Sequence, residues 1–135
     1  MRATFKQAYR STAPWVSKAR KEVESFVTLC GFDCEDVSEI VLAVGEAVNN
    51  AVEHSRSLHD FSIGCEFDGH RLLIRVEDQG IGFSPQTVMA NRASLQPRGL
   101  GIFLMNRLMD KAEFTFKPGD GTVLTLEKRK QVATS

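Results

Sequence analysis

One change of period constrains this chain more than any other feature. Val37, Ile40, Val41, Val44, Val48, Ala51 and Val52 recur at helical spacing, and soon afterwards Phe61, Ile63, Cys65 and Phe67 alternate with small or polar residues. The first pattern gives a helix with one apolar stripe, and the second gives a strand with one apolar face. Each must bury its apolar side against another element. Asp68-Gly69 is a hairpin signal, and Leu72-Leu73-Ile74-Arg75-Val76 is the returning strand. A long amphipathic helix therefore leads into an antiparallel hairpin on which it can pack.

The remaining elements extend this unit. Weak alternation over residues 3–10 predicts a first strand. Ser11 or Thr12 can cap a helix with Pro14 in its first turn, running to about Cys30 and stopping at Gly31. Asp33 can cap the next helix, which runs to about His54. Gly80 to Pro97 reads as turn and loop, with a short helical piece near residues 85–92. An apolar helix is expected from Gly99 to Met109, then two strands at 111–116 and 122–128 joined through Pro118-Gly119-Asp120-Gly121. The expected fold is α/β in the α+β sense, one domain over residues 1–135. It is a two-layer sandwich with a mixed, mostly antiparallel sheet and the helices on one face.

Composition narrows the function classes. Hydrophobic residues make up 42% and charged residues 25%, as in a folded globular domain. Seventeen basic residues balance seventeen acidic ones, so bulk charge argues for neither direct nucleic-acid binding nor a membrane surface. The N-terminus has no apolar core of a signal peptide, and no apolar run is long enough to cross a bilayer. The expected location is the cytoplasm. Cys30, Cys34 and Cys65 are an odd number and lack the paired spacing of a zinc site, so they are expected as buried small hydrophobes in a reducing compartment.

Three short motifs can carry chemistry. Glu46 and Asn50 lie one helical turn apart, on a stripe shared with Glu53 and His54. That stripe can be the wet face of the helix. It can also aim two side chains into one site, where the Asn50 amide oxygen suits Mg²⁺ and the Glu46 carboxylate can take a proton from a hydroxyl. Val76-Glu77-Asp78-Gln79-Gly80-Ile81-Gly82 places an acid at a strand end before two glycines. This is either a tight turn, or an acceptor for an exocyclic amine such as adenine's with backbone that can approach a ligand closely. Arg98-Gly99-Leu100-Gly101 opens a helix, and free N–H groups there suit phosphates. A purely structural turn is the alternative. The motif is neither a Walker A loop nor a dinucleotide fingerprint.

Taken in order, Glu46-x-x-x-Asn50, Asp78-x-Gly80-x-Gly82 and Gly99-x-Gly101 resemble the boxes of the Bergerat-fold (GHKL) ATPases. Within that group the chain is most similar to the bacterial anti-sigma-factor serine/threonine kinases. The likeness rests on Glu46-Ala47-Val48-Asn49-Asn50-Ala51-Val52-Glu53-His54 and on the run from Gly99 to Asp110. The resemblance implies ATP and Mg²⁺ as cofactors. It implies Glu46 as catalytic base or orienter, Asn50 as magnesium ligand, and Asp78 as acceptor for the adenine amino group. Gly80 and Gly82 would lie against the nucleotide, and Arg98, Gly99, Leu100 and Gly101 would surround its phosphates. Thr122 in Gly121-Thr122-Val123 would support Asp78 through water, although it also fits as an ordinary β-branched strand residue. Three positions depart from the family's habit. Asn49 stands where Thr is frequent, Arg98 where a small residue is common, and Lys111 where an acid is common.

The implied activity is phosphorylation of a STAS-type anti-anti-sigma partner, together with sequestration of a sigma factor. The alternatives are a nucleotide-binding regulatory module without phosphotransfer and a detached histidine-kinase catalytic domain. The loop from Phe83 to Arg98 is too short for the lid of the large ATP-driven clamps, and no histidine precedes Asp33 to serve as a phosphoacceptor. Members of the resembled group commonly dimerise. The apolar face of the first helix (Trp15, Val16, Val23, Phe26, Val27) therefore stands either as a homodimer surface or as intramolecular core.

Overall fold

The computed structural model describes residues 2–54, 59–78, 103–117 and 121–131. The elements follow the order β1 (Ala3–Tyr9), α1 (Ala13–Leu29), α2 (Cys34–His54), β2 (Phe61–Phe67), β3 (Arg71–Asp78), β4 (Lys111–Lys117) and β5 (Gly121–Arg129). Residues 103–108 are also helical. The five strands form one sheet in the order β1-β2-β3-β5-β4, and every described pairing is antiparallel. The expected mixed character is therefore absent among the described strands. β3 and β4 both pair antiparallel with β5, so they run parallel to each other, and the chain crosses over from β3 to β4 with β5 inserted between them.

Local chemistry explains most boundaries. The Asp33 carboxylate accepts the Asp36 N–H at 2.8 Å, which caps α2 as the sequence suggests. Asp68 Oδ1 accepts the N–H groups of His70 (2.9 Å) and Arg71 (2.7 Å), and Gly69 takes φ +99°, closing the β2–β3 hairpin. The start of α1 differs from expectation. Thr12 occupies the N-cap position, but its side chain makes no cap hydrogen bond. The Ser11 hydroxyl instead donates to the His59 carbonyl, tying the start of α1 to the approach to β2.

The core lies between the helices and one face of the sheet. Val23 and Val27 of α1, Ile40, Val44 and Val48 of α2, and Ile63, Leu72, Ile74 and Leu126 of the strands are fully buried. Truncating a side chain such as Ile40 to Ala costs roughly 2–5 kcal/mol. The opposite face carries the exposed Lys6, Glu66, Arg75 and Glu77. The apolar face of α1 is used inside the molecule, since Trp15, Val16 and Phe26 also pack against this core. No described helix is long and apolar enough to cross a membrane.

The cysteines divide. Cys30 and Cys65 are buried, whereas Cys34, at the start of α2, is exposed, contrary to the expectation for all three. Burial pushes the Cys30 thiol up, and pushes Cys65 up to about 12. Under native conditions near pH 8, a disulfide reagent should therefore titrate Cys34 rapidly, and Cys30 and Cys65 only after unfolding by denaturant. Three fast thiols in the native protein would contradict this packing.

Candidate functional site

Two contacts fix where α2 begins on the sheet. The Phe32 ring, just before α2, sits 5.6 Å from that of Phe67. Lys128 Nζ lies 3.0 Å from Glu39 Oε2. Phe67 and Lys128 both pair with Leu72 near the start of β3. The early turns of α2 therefore cover the beginning of β3. From Glu39 to Asn50 the helix climbs about 16 Å. From Leu72 to Asp78 the strand advances about 20 Å. The late turns of α2 reach the Asp78 end of the sheet: Asn49 and Val52 line one cavity with Ser11 and Thr12, Ser11 bonds to the His59 carbonyl, and Phe61, just beyond His59, pairs with Asp78.

At this end the polar groups are unusually enclosed. Asn50, Asp78 and Thr122 are 9%, 5% and 5% exposed. Asn50 therefore does not lie on a wet face. Its neighbour one turn earlier, Glu46, is half-buried. Among the described residues, Asn50 Nδ2 has no hydrogen-bond partner. A buried amide left unpaired costs about 1–3 kcal/mol, so the position points to a ligand or chain segment that completes it. The two ends of an amide exchange by a flip of the side chain, so the enclosed end can equally present oxygen to a cation.

Asp78 is the last residue of β3, and it pairs with Phe61 on one side and Thr122 on the other. The Thr122 hydroxyl donates directly to Asp78 Oδ2. The resemblance implies support through water; among the described residues cross-strand pairing also brings the two side chains into direct contact. A carboxylate has room for about four hydrogen bonds, so the bond from Thr122 does not by itself fill it.

Gly121 makes the approach possible. It adopts φ +99°, and a Cβ there would land on the Asp78 carbonyl oxygen. Sequence reasoning singled out Thr122 and passed over Gly121. The available signal was a glycine at the very start of a strand, directly before the threonine.

The structure thus brings Glu46, Asn50, Asp78 and Thr122 to one end of the sandwich. Gly80, Gly82, Arg98, Gly99, Leu100 and Gly101 lie outside the described residues. Among the described residues no His, Cys, Asp and Glu cluster could hold a metal ion by itself.

The sequence matches the family described as histidine kinase-like ATPase domain over residues 10–128. Curated relatives include a serine-protein kinase RsbW of Halalkalibacterium halodurans, 32% identical with 93% of this chain and 82% of the relative covered. They also include an anti-sigma F factor of Oceanobacillus iheyensis, 25% identical with 96% of this chain and 94% of the relative covered. Among solved structures, the RsbU and RsbW domains of a Mycobacterium tuberculosis protein match with a TM-score of 0.73 at 20% identity, over 97% of this chain and 34% of that one. The chain spans about a third of that structure's length, and a likeness at this identity bears on the fold alone.

Gly121→Ala should test the close approach to Asp78. Forcing a non-glycine residue to positive φ costs roughly 1–3 kcal/mol, and displacing the Asp78 carbonyl adds to this. A fall in unfolding free energy of at least about 2 kcal/mol is expected in urea denaturation. An unchanged midpoint would mean that β3 and β5 do not meet in this way.

Proposed function

The chain belongs to the histidine kinase-like ATPase domain family, and from that premise we propose that it is a protein serine kinase of the anti-sigma-factor type with ATP as phosphate donor. The observation that carries this reading is the buried Asn50 amide, one end of which is unpaired among the described residues, one turn from the half-buried Glu46 carboxylate. A binding turn alone needs no carboxylate there; a site that moves a proton does.

The residues divide the work. Asp78, held by Thr122, accepts from the amino group of adenine and selects it over guanine, whose ring presents a carbonyl oxygen at that position. Asn50 supplies an oxygen ligand for magnesium. When bound there, magnesium would offset the negative charge that develops on the phosphate oxygens. Gly80 and Gly82 admit the nucleotide to close range. To Arg98, Gly99, Leu100 and Gly101 we assign the phosphates, a role that a glycine-rich helix start suits. Glu46 accepts the proton of the incoming serine hydroxyl while its oxygen bonds to the γ-phosphorus and the bond to the departing ADP oxygen breaks. Catalysis of this kind is mainly positioning and charge stabilisation.

The names of the relatives bear on the partners. One is a serine-protein kinase and another an anti-sigma F factor. We assign this chain the same pair of tasks: phosphorylating a STAS-type anti-anti-sigma protein and sequestering a sigma factor, in the cytoplasm, as one domain. Any homodimer would form through surfaces other than the stripe that α1 buries in its own core.

Glu46→Gln keeps the size and hydrogen-bonding reach of the side chain and removes its basicity. Mg-ATP affinity should be unchanged, while phosphate transfer to the partner's serine falls by roughly 10²–10⁴-fold, the usual contribution of a general base. The check is transfer of radiolabelled phosphate from ATP alongside a binding isotherm. Transfer that survives intact would remove Glu46 from this role.

A further inference from the structure

Lys128 is a charged side chain almost out of solvent, at 12% exposure, far from the polar end just described. Its ammonium donates to Glu39 Oε2 at 3.0 Å and to the Leu108 carbonyl at 2.6 Å. Leu108 is the last helical residue of the 103–108 segment. A cation there satisfies a carbonyl that the helix leaves unpaired and sits at the negative end of the helix dipole.

The three elements that meet at Lys128 are the ones that bear the site. Glu39 stands on α2, two to three turns ahead of Glu46 and Asn50. Lys128 shares the inward face of β5 with Leu124, Leu126 and Thr122, the partner of Asp78. Leu108 closes the helix that follows Gly99-Leu100-Gly101 in the sequence. The same helix is pinned by Met105 and Met109, which are buried, and by the Asp110 N–H, which donates to the Glu127 carbonyl at 2.9 Å. Those contacts hold it to the core and to β5. Of the hydrogen bonds and ion pairs described, the Lys128 ammonium is the contact that joins its end to α2.

We infer that Lys128 is a positioning residue: it sets the distance between the phosphate-side helix and the α2 residues Glu46 and Asn50 without touching nucleotide. This inference rests on the proposed kinase reading of the site. The adenine end, built on Asp78 and Thr122 of the paired strands β3 and β5, does not depend on the clamp. Loss of the clamp should therefore weaken recognition of the outer phosphates and spare recognition of the base.

The test compares Mg-ATP and AMP affinity in wild type, Lys128→Met, Lys128→Arg and Glu39→Gln, well below the unfolding temperature of each. Misplacing a phosphate-binding element by a fraction of an ångström should weaken Mg-ATP by about tenfold in Lys128→Met, with AMP changed less than about twofold. In transfer assays KM for ATP should rise more than kcat falls. Lys128→Arg should restore most of the difference. Glu39→Gln, at a more exposed position, should fold normally and show a smaller loss in the same direction. Equal losses for ATP and AMP would mark Lys128 as a general stabiliser and overturn the inference, as would wild-type affinities in both Lys128→Met and Glu39→Gln. If wild type itself bound no ATP, the kinase reading would fail and the positioning role with it. Wild-type binding with an indifferent Lys128→Met would sink the positioning role alone.

Discussion

Asp78 is buried at the end of the central strand, and a buried carboxyl group is tolerated only where donors meet it. Much of the fold serves that requirement. Thr122 supplies a hydroxyl from the neighbouring strand, and Gly121 lets the two backbones come close enough for it to reach. The register of β3 against β5, fixed residue by residue from Arg71↔Arg129 to Asp78↔Thr122, sets the pairing. A slip of one residue would turn Thr122 to the other face and leave the carboxyl group without this donor. In the proposed reading the sheet is thus the scaffold of the adenine end, and α2 carries the residues assigned to the reaction.

The two layers divide stability from chemistry. The midsection of the sandwich is apolar, with the α2 valines and Ile40 against Ile63, Leu72, Ile74 and Leu126. Among the described residues, two groups of polar side chains stand at opposite ends. One end holds Glu46, Asn50, Asp78 and Thr122. The other holds Glu39, Lys128 and the Leu108 carbonyl. Elements that are rigid between two such ends can carry a constraint from one to the other, because packed helices and strands move as units.

The fold was readable because its elements announce themselves by period and by punctuation. The helical spacing of Val37 to Val52, the alternation of Phe61 to Phe67, the Asp33 cap and the Asp68-Gly69 turn each match a boundary in the structure. The misses have one cause, long-range contact. Ser11 bonds to His59, far along the chain, instead of capping α1. A helical wheel leaves Asn50 either solvated or aimed into a site, and only its enclosure against other elements separates the two. Lys128 reads as one more charge near a basic C-terminus, and nothing local shows that Glu39 and Leu108 lie beside it. Gly121 was visible as a residue, but its purpose depends on a carbonyl oxygen of another strand.

The central claim is that Asp78 recognises adenine. The most direct measurement is calorimetric titration of wild type and Asp78→Asn with Mg-ATP, with Mg-GTP as control. Asparagine keeps the shape and can hold the fold through Thr122, but it replaces an acceptor with a donor. The account predicts binding of ATP by wild type, much weaker binding of GTP, and loss of ATP binding by at least about tenfold in the variant, the order expected for removing a hydrogen bond to a charged buried group. Equal ATP affinity in wild type and variant, or equal affinity for ATP and GTP, would contradict it.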